Sequence, residues 1–138
     1  MSSNDLISSG VILLSVIAIA YGGTFLLKVT TGAVAANELQ QRFFRAGHAH
    51  AGVLVILGLV VRLALDVPNV PGWSSAGAEG VLVAAILMPA GFFLSVLGHD
   101  PQAPNRLRAL IWVGALSLTI GLASAGLGLI LAGLAVRP

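Results

Sequence analysis

The sequence has no cysteine, and this absence excludes several classes of protein. Disulfide-stabilised domains, cysteine-ligated iron–sulfur proteins, thiolate zinc sites and covalently attached c-type haem all require cysteine side chains. Charged residues are also scarce, at 9% of the chain, whereas they make up roughly 25% of an average soluble domain. So few charges are untypical of a soluble protein, and nothing in the sequence suggests binding to nucleic acid.

Hydrophobic residues are abundant instead, at 57% of the 138 residues, and the mean hydropathy is +1.00. Four segments are apolar over about the 20 residues that a helix needs to cross a bilayer. They are residues 6–27, 46–65, 80–98 and 109–134. Short connections favour antiparallel packing of neighbouring helices. The sequence therefore predicts an all-α integral membrane protein whose single domain is a bundle of four transmembrane helices.

The charged residues divide between the two ends of this predicted bundle. The basic end holds Lys28, Arg42, Arg45, Arg106 and Arg108, and the acidic end holds Asp5, Arg62, Asp66, Glu79 and Arg137. Lysine and arginine concentrate near the cytoplasmic ends of membrane spans. We therefore expect a multi-pass protein of a prokaryote-like plasma (inner) membrane with both termini outside. Residues Met1 to Asp5 carry no positive charge, which favours an anchor over a cleaved signal peptide.

Residues 37–46, between the first two spans, have an amphipathic helical pattern. Apolar residues Leu39, Phe43 and Ala46 share one stripe, and polar residues Glu38, Gln41, Arg42 and Arg45 share another. This pattern predicts a short helix that lies along the membrane interface. Asn37 suits its N-cap, and Gly47 suits a break before the second span.

Three histidines, His48, His50 and His99, are predicted at the same membrane face, near Glu38 and Asp100. Imidazoles with carboxylates nearby suit Fe, Cu, Zn or Mn, and histidines facing each other from two helices suit haem b. The carboxylates would accept hydrogen bonds from the imidazole N–H groups. Haem propionates or another anionic group would meet Arg42, Arg45, Arg106 and Arg108. The pattern therefore predicts a metal or haem site for redox or electron-transfer work.

Two other interpretations of the histidines stay open. The first is structural, with the imidazoles hydrogen-bonded to carbonyls, phosphates or Asp100 in the headgroup layer. The second is transport of protons or a small solute, which requires a chain of polar groups through the bundle. The spans offer few such groups: Ser15, Thr24, Arg62, Ser95, Ser117, Thr119 and Ser124. No Ser/His/Asp or HExxH pattern of a hydrolase is present, and the sequence does not decide whether the protein is an enzyme.

Arg62 is the one permanent charge within a predicted span. Asp66 follows it by four residues on the same helical face, and Glu79 begins the third span at a similar depth. We expect these two carboxylates to hold the guanidinium in a structural ion pair. The functional alternative is an anion site at the acidic end.

The fourth span carries small residues at spacings of three and four: Gly114, Ser117, Gly121, Ser124 and Gly128. Such a seam lets two helix backbones approach closely in lipid. It fits another helix of this chain or a second protein equally well. The seam therefore predicts a homo-oligomer or membership of a larger membrane complex. A non-catalytic accessory subunit of such a complex is the main alternative function. Gly126 and Gly133 form a second, shorter row.

Two short patterns resemble known families. Residues 45–50, which open the second span, resemble the segment of haem–copper oxidase core subunits in which a histidine at a helix start ligates haem. The likeness covers one helix of four, and the copper ligands have no counterpart. A glutamate and arginine before the second span are similar to the pattern of the small four-span glutathione-dependent membrane enzymes. The downstream asparagine and carboxylate of that pattern are missing, with His50 and Val53 in the neighbourhood instead, and the third span lacks the arginine of those enzymes. Neither resemblance identifies the chain as a family member.

Overall fold

The computed structural model describes residues 3–136, so that Arg137 of the acidic end and Met1 of the predicted anchor lie outside the described residues. Within that range the regular secondary structure is helical, without strands. The helices are α1 (Ser3–Thr30), α2 (Glu38–Ala64), α3 (Gly72–Ala78), α4 (Gly80–Leu94) and α5 (Ala109–Ala135), with a 3₁₀ turn at Arg106–Arg108.

Four helical segments are long and apolar enough to cross a membrane, as the hydropathy pattern predicts. They are Asp5–Thr30, Glu38–Ala64, Gly72–Leu94 and Arg106–Ala135. The all-helical class and the four candidate spans are therefore confirmed for the described part of the chain. The third segment begins earlier than predicted, because α3 occupies part of the expected loop and only Glu79 separates it from α4.

The interfacial helix predicted before the second span is not a separate element. Helix α2 runs through Gly47 without interruption, so the predicted break at this glycine is wrong. Gly47 is buried where α2 meets α4, and a Cβ there would lie 2.8 Å from Cε2 of Phe93. The glycine therefore allows close helix contact, and the polar turns before it are simply the beginning of α2.

The predicted N-cap at Asn37 is confirmed, and the helix that it caps is α2. The Oδ1 atom of Asn37 accepts a hydrogen bond from the Gln40 amide (2.9 Å), and Gln40 Oε1 accepts one from the Asn37 amide (3.1 Å). This reciprocal capping box satisfies two backbone N–H groups that the first helical turn leaves without partners.

Helix α5 packs on α4 through the glycines of the predicted seam. An added Cβ on Gly121 would lie 2.7 Å from the backbone nitrogen of Val81, and one on Gly114 would lie 3.0 Å from that of Met88. Both glycines are buried. The two helices therefore approach so closely that any larger residue at these positions would meet the partner's backbone.

Two serine hydroxyls join α5 to the preceding helices across the same seam. Ser117 Oγ donates to the carbonyl of Gly80 (2.8 Å), and Ser74 Oγ of α3 donates to the carbonyl of Ser124 (2.7 Å). The seam is thus occupied within the chain, which answers the question that the sequence left open. An accessory subunit would need another contact surface; Gly126 and Gly133 are exposed, with no atom within 4 Å of an added Cβ.

Helix α1 is attached much less closely. None of its most apolar 18-residue stretch is buried, compared with 39% for Gly72–Leu94. At the basic end Val29 is buried in a cluster with Phe44 of α2 and Val96. At the acidic end Asp5 contacts Arg62 of α2. The helix is therefore held mainly at its two ends.

Candidate functional site

The structure points the three histidines in different directions. The His48 imidazole lies beside α1, where a Cβ on Gly23 would be 3.6 Å from its Nε2 atom. It is half-buried and has no hydrogen-bond partner among residues 3–136. The Nδ1–H group of His50 donates to the Ala46 carbonyl (2.7 Å), and its ring packs on Phe92 of α4 at 4.9 Å. His99 is exposed in the loop between α4 and α5.

The predicted convergence of these side chains depended on a break at Gly47. In a continuous helix, positions two residues apart differ in direction by about 200°, which is why His48 faces α1 and His50 faces α4. Across the described chain, no three His, Asp or Glu side chains lie together so that they could hold a metal ion. The structure therefore gives no support to a metal or haem site built from this chain alone.

The two carboxylates predicted to orient the imidazoles have other partners. Glu38 pairs with Arg42 one turn later on α2. Asp100 accepts hydrogen bonds from Asn37 Nδ2 (2.9 Å) and Gln102 Nε2 (3.0 Å). Both carboxylates therefore stabilise the basic end, and neither bonds an imidazole of the described residues.

Two amide side chains that the sequence analysis did not assign to a site hold the loop between α4 and α5. Gln40 is buried, and its Nε2 donates to the carbonyls of Val96 (3.1 Å) and Gly98 (3.0 Å). Asn37 Nδ2 also donates to the carbonyl of Pro101 (2.8 Å). Only the capping-box spacing could have drawn attention to these residues, and that pattern carries no information about a distant loop.

The cations of the basic end differ in their partners. Arg42 pairs with Glu38, whereas Arg45 donates only to uncharged oxygens of Gln41, at 3.3 and 3.4 Å. Within residues 3–136, Lys28, Arg45, Arg106 and Arg108 form no ion pair with a carboxylate. All four side chains are exposed. This end of the protein therefore presents cations that are free to meet an anion.

At the acidic end, Arg62 connects three helical segments. Its guanidinium contacts Asp5 of α1 at 3.0 Å and also Glu79 at the junction of α3 and α4. Of the two predicted partners, Glu79 contacts Arg62 directly, while Asp66 lines the same cavity of about 250 Å³. Asp5 was not predicted, because hydropathy gives no register between two helices. The Arg62 side chain is 18% exposed, which favours the structural interpretation over an open anion site.

Between these two attachments, α1 and α2 leave an apolar groove of about 520 Å³. Its lining residues are Ile12, Leu13, Val16, Ile17 and Ala20 of α1 and Val55, Ile56 and Leu59 of α2. Leu13, Ile17 and Ile56 are more than half exposed, so the groove is open along its side. Toward the acidic end Ser9 Oγ is buried without a hydrogen-bond partner in the described part of the chain, a further sign of imperfect packing along α1.

The hydroxyls considered for a transport path are bonded to backbone. Ser15, Thr24 and Thr119 donate to carbonyls three or four residues earlier in their own helices, at 2.6, 2.7 and 2.9 Å. Ser117 bonds the neighbouring helix. Three of these hydroxyls bond their own helix and one bonds a neighbour, so these described groups do not form a continuous polar chain.

The chain was compared with known proteins at the level of both sequence and structure. No protein-family model, curated protein sequence or solved structure matches it. The function is therefore argued from the geometry of this chain itself.

Proposed function

We propose that this chain is a membrane-embedded protein that takes up a lipophilic molecule from the bilayer into the groove between α1 and α2. Four helices long and apolar enough to cross a membrane support the location. The groove itself is the observation that supports the binding role. Following the positive-inside rule, we place the basic end in the cytoplasm and the termini outside the plasma membrane.

The size and lining of the groove suit a ligand with a long apolar part. Binding sites for small molecules are concave, mostly apolar and typically about 300–1,000 Å³ in volume, and this groove has about 520 Å³. Helices in contact normally interdigitate without voids, because side chains that face a gap lose dispersion contacts. An acyl or isoprenoid chain would restore those contacts.

A groove-filling substitution tests this proposal. Ala20→Phe places a ring among the lining residues of α1, whereas Ala18→Phe adds the same ring to an exposed position outside the groove. We expect a phospholipid with a photoreactive diazirine in its acyl chain to label the groove segments, and Ala20→Phe to remove most of that labelling. Ala18→Phe should leave it intact. Equal labelling of the two variants, or labelling spread evenly over all helices, would contradict groove binding.

The metal or haem hypothesis now requires a ligand from outside the chain. One observation favours it: the His48 imidazole has no hydrogen-bond partner among the described residues and is therefore free to ligate a metal. A second copy or a larger complex would have to supply the remaining ligands. Metal content and the absorption spectrum of protein purified from its host in mild detergent decide between haem, a bare ion and neither.

A further inference from the structure

We infer that the groove ligand is an anionic phospholipid, with an acyl chain in the groove and its phosphate between Lys28 and Arg45. This inference rests on the proposed function and adds the class of ligand. Three observations support it. Both side chains lie on the helical stripes that line the groove, they lie near each other along the helix axes, and neither pairs with a carboxylate of the described residues.

Both cations lie on the helical stripes that line the groove. On α1, the lining residues Leu13, Ile17 and Ala20 continue at helical spacing through Thr24 to Lys28. Residues three and four apart share one face of a helix. The exposed Lys28 ammonium therefore lies on the extension of the groove wall toward the basic end.

The stripe on α2 reaches the same end. Leu59 and Ile56 line the groove, and Gly52 and Arg45 follow at spacings of four and seven residues. An added Cβ on Gly52 would meet no atom within 4 Å, so the stripe stays open between the groove and the guanidinium. A chain lying in the groove can therefore extend past Gly52 to Arg45.

The antiparallel register of α1 and α2 places the two cations within one helical turn of each other along the helix axes. Gly23 contacts His48, and Phe25 packs edge-on against Phe44 at 5.3 Å. In this register Lys28 lies opposite Arg42, about 4.5 Å or three residues beyond the level of Arg45, and it follows Ala20 by eight residues or about 12 Å of helix. A phosphate at that level sends its acyl chain about 20 Å to the middle of the bilayer, because the headgroup layer adds to the half-thickness of the hydrocarbon core. This length covers the half of the groove nearer the basic end.

The charges complement a phosphate. Neither Lys28 nor Arg45 has a carboxylate partner within residues 3–136, and Glu38 is already paired with Arg42. Guanidinium and ammonium groups both bind phosphate oxygens, and anionic lipids attract basic residues at the cytoplasmic leaflet. Since the groove is apolar and its basic end carries two free cations, an anionic lipid fits better than a zwitterionic one.

Two photoreactive lipids with identical diazirine acyl chains test the inference in nanodiscs. One carries a phosphoglycerol headgroup and the other a phosphocholine headgroup. Two cations near the phosphate should favour the anionic lipid on the order of tenfold in labelling of the groove residues nearer the basic end, Val16, Ile17, Ala20 and Val55. The variant Lys28→Gln/Arg45→Gln should reduce groove labelling by the anionic lipid to about the level of the phosphocholine lipid.

A matched variant and the groove-filling variant separate the two proposals. Arg106→Gln/Arg108→Gln removes the same charge from the same end, away from the groove, and should keep the preference for the anionic lipid. Equal labelling of wild-type protein by both lipids, or an equal loss of preference in the two double variants, overturns the headgroup inference but leaves groove binding standing. Absence of groove labelling by either lipid overturns the proposed function as well.

Discussion

Helices α1 and α5 are almost the same length and almost equally apolar, but they are held in very different ways. They have 28 and 27 residues, and their most apolar stretches have hydropathies of 2.2 and 2.0. Helix α5 meets α3 and α4 along its whole seam, with glycines at backbone contact and serines bonded across the interface. Helix α1 is attached mainly at its ends, with a groove between.

This difference shows that hydrophobicity does not decide which helix packs closely when all of the long helices are apolar enough to cross a membrane. Where lipid replaces water, an apolar side chain gains little by leaving lipid for another helix. Close packing then depends on small residues at helical spacing and on hydroxyls that reach a neighbour's carbonyl. Helix α5 has such a row, whereas the α2-facing side of α1 has large apolar residues such as Ile12 and Val16. The groove follows from that difference.

The largest expected effect comes from the closest contact on α5. Gly121→Leu would drive a side chain into the backbone of α4, because even a Cβ would lie 2.7 Å from Val81 N. Overpacking of a tight site costs about 1–3 kcal/mol, and a backbone clash belongs at the upper end. We expect a large fall in the thermal unfolding temperature in detergent. Gly126→Leu, in the exposed row of the same helix, should leave it nearly unchanged; equal losses would show that the seam is not the critical interface.

A smaller effect is expected where α1 is fastened at the acidic end. Arg62→Ala leaves Asp5 and Glu79 without their shared guanidinium, and we expect a loss of about 1–2 kcal/mol for this partly exposed group. Hydrogen exchange should rise in the first turns of α1 and much less in α5. Neutralising both carboxylates in the same variant should recover part of the stability. Unchanged exchange in α1 would mean that the ion pair does not hold this helix.

The smallest effects should distinguish two buried serines. Ser74→Ala removes the hydroxyl that joins α3 to the Ser124 carbonyl, and we expect a loss of about 1 kcal/mol in unfolding free energy. Ser9→Ala removes a buried hydroxyl that has no hydrogen-bond partner, so stability should stay equal or rise. Thermal unfolding of the two variants measures both. A clear loss for Ser9→Ala would indicate that this hydroxyl has a partner in the membrane.

The sequence predicted what depends on short stretches of chain. The four spans, the grouping of charges at two ends, the N-cap at Asn37 and the seam of α5 all follow from hydropathy, capping preference or helical spacing. The helix that packs on the seam could not be predicted, because the spacing of small residues describes one surface of an interface and gives no information about the other.

The errors came from positions where tertiary contact overrides local preference. Gly47 has the properties of a helix breaker, but it is buried against Phe93 inside a continuous helix. That one difference separates His48 from His50 and removes the geometric basis of the predicted cluster. The groove was not predictable either. It lies where the apolar side chains of α1 and α2 are not in close contact, and the amino-acid composition of the two helices does not indicate such a gap.

The amide contacts of Asn37 and Gln40 also have a consequence for the order of synthesis. These side chains hold carbonyls 56 to 64 residues later in the chain. When the first turn of α2 has just left the ribosome, the segment from Val96 to Pro101 that will cover it has not been made. The hairpin of α1 and α2 must therefore wait with its basic end uncovered until α4 is complete. Its closure is a late event in assembly, although the residues that perform it are among the first to be synthesised.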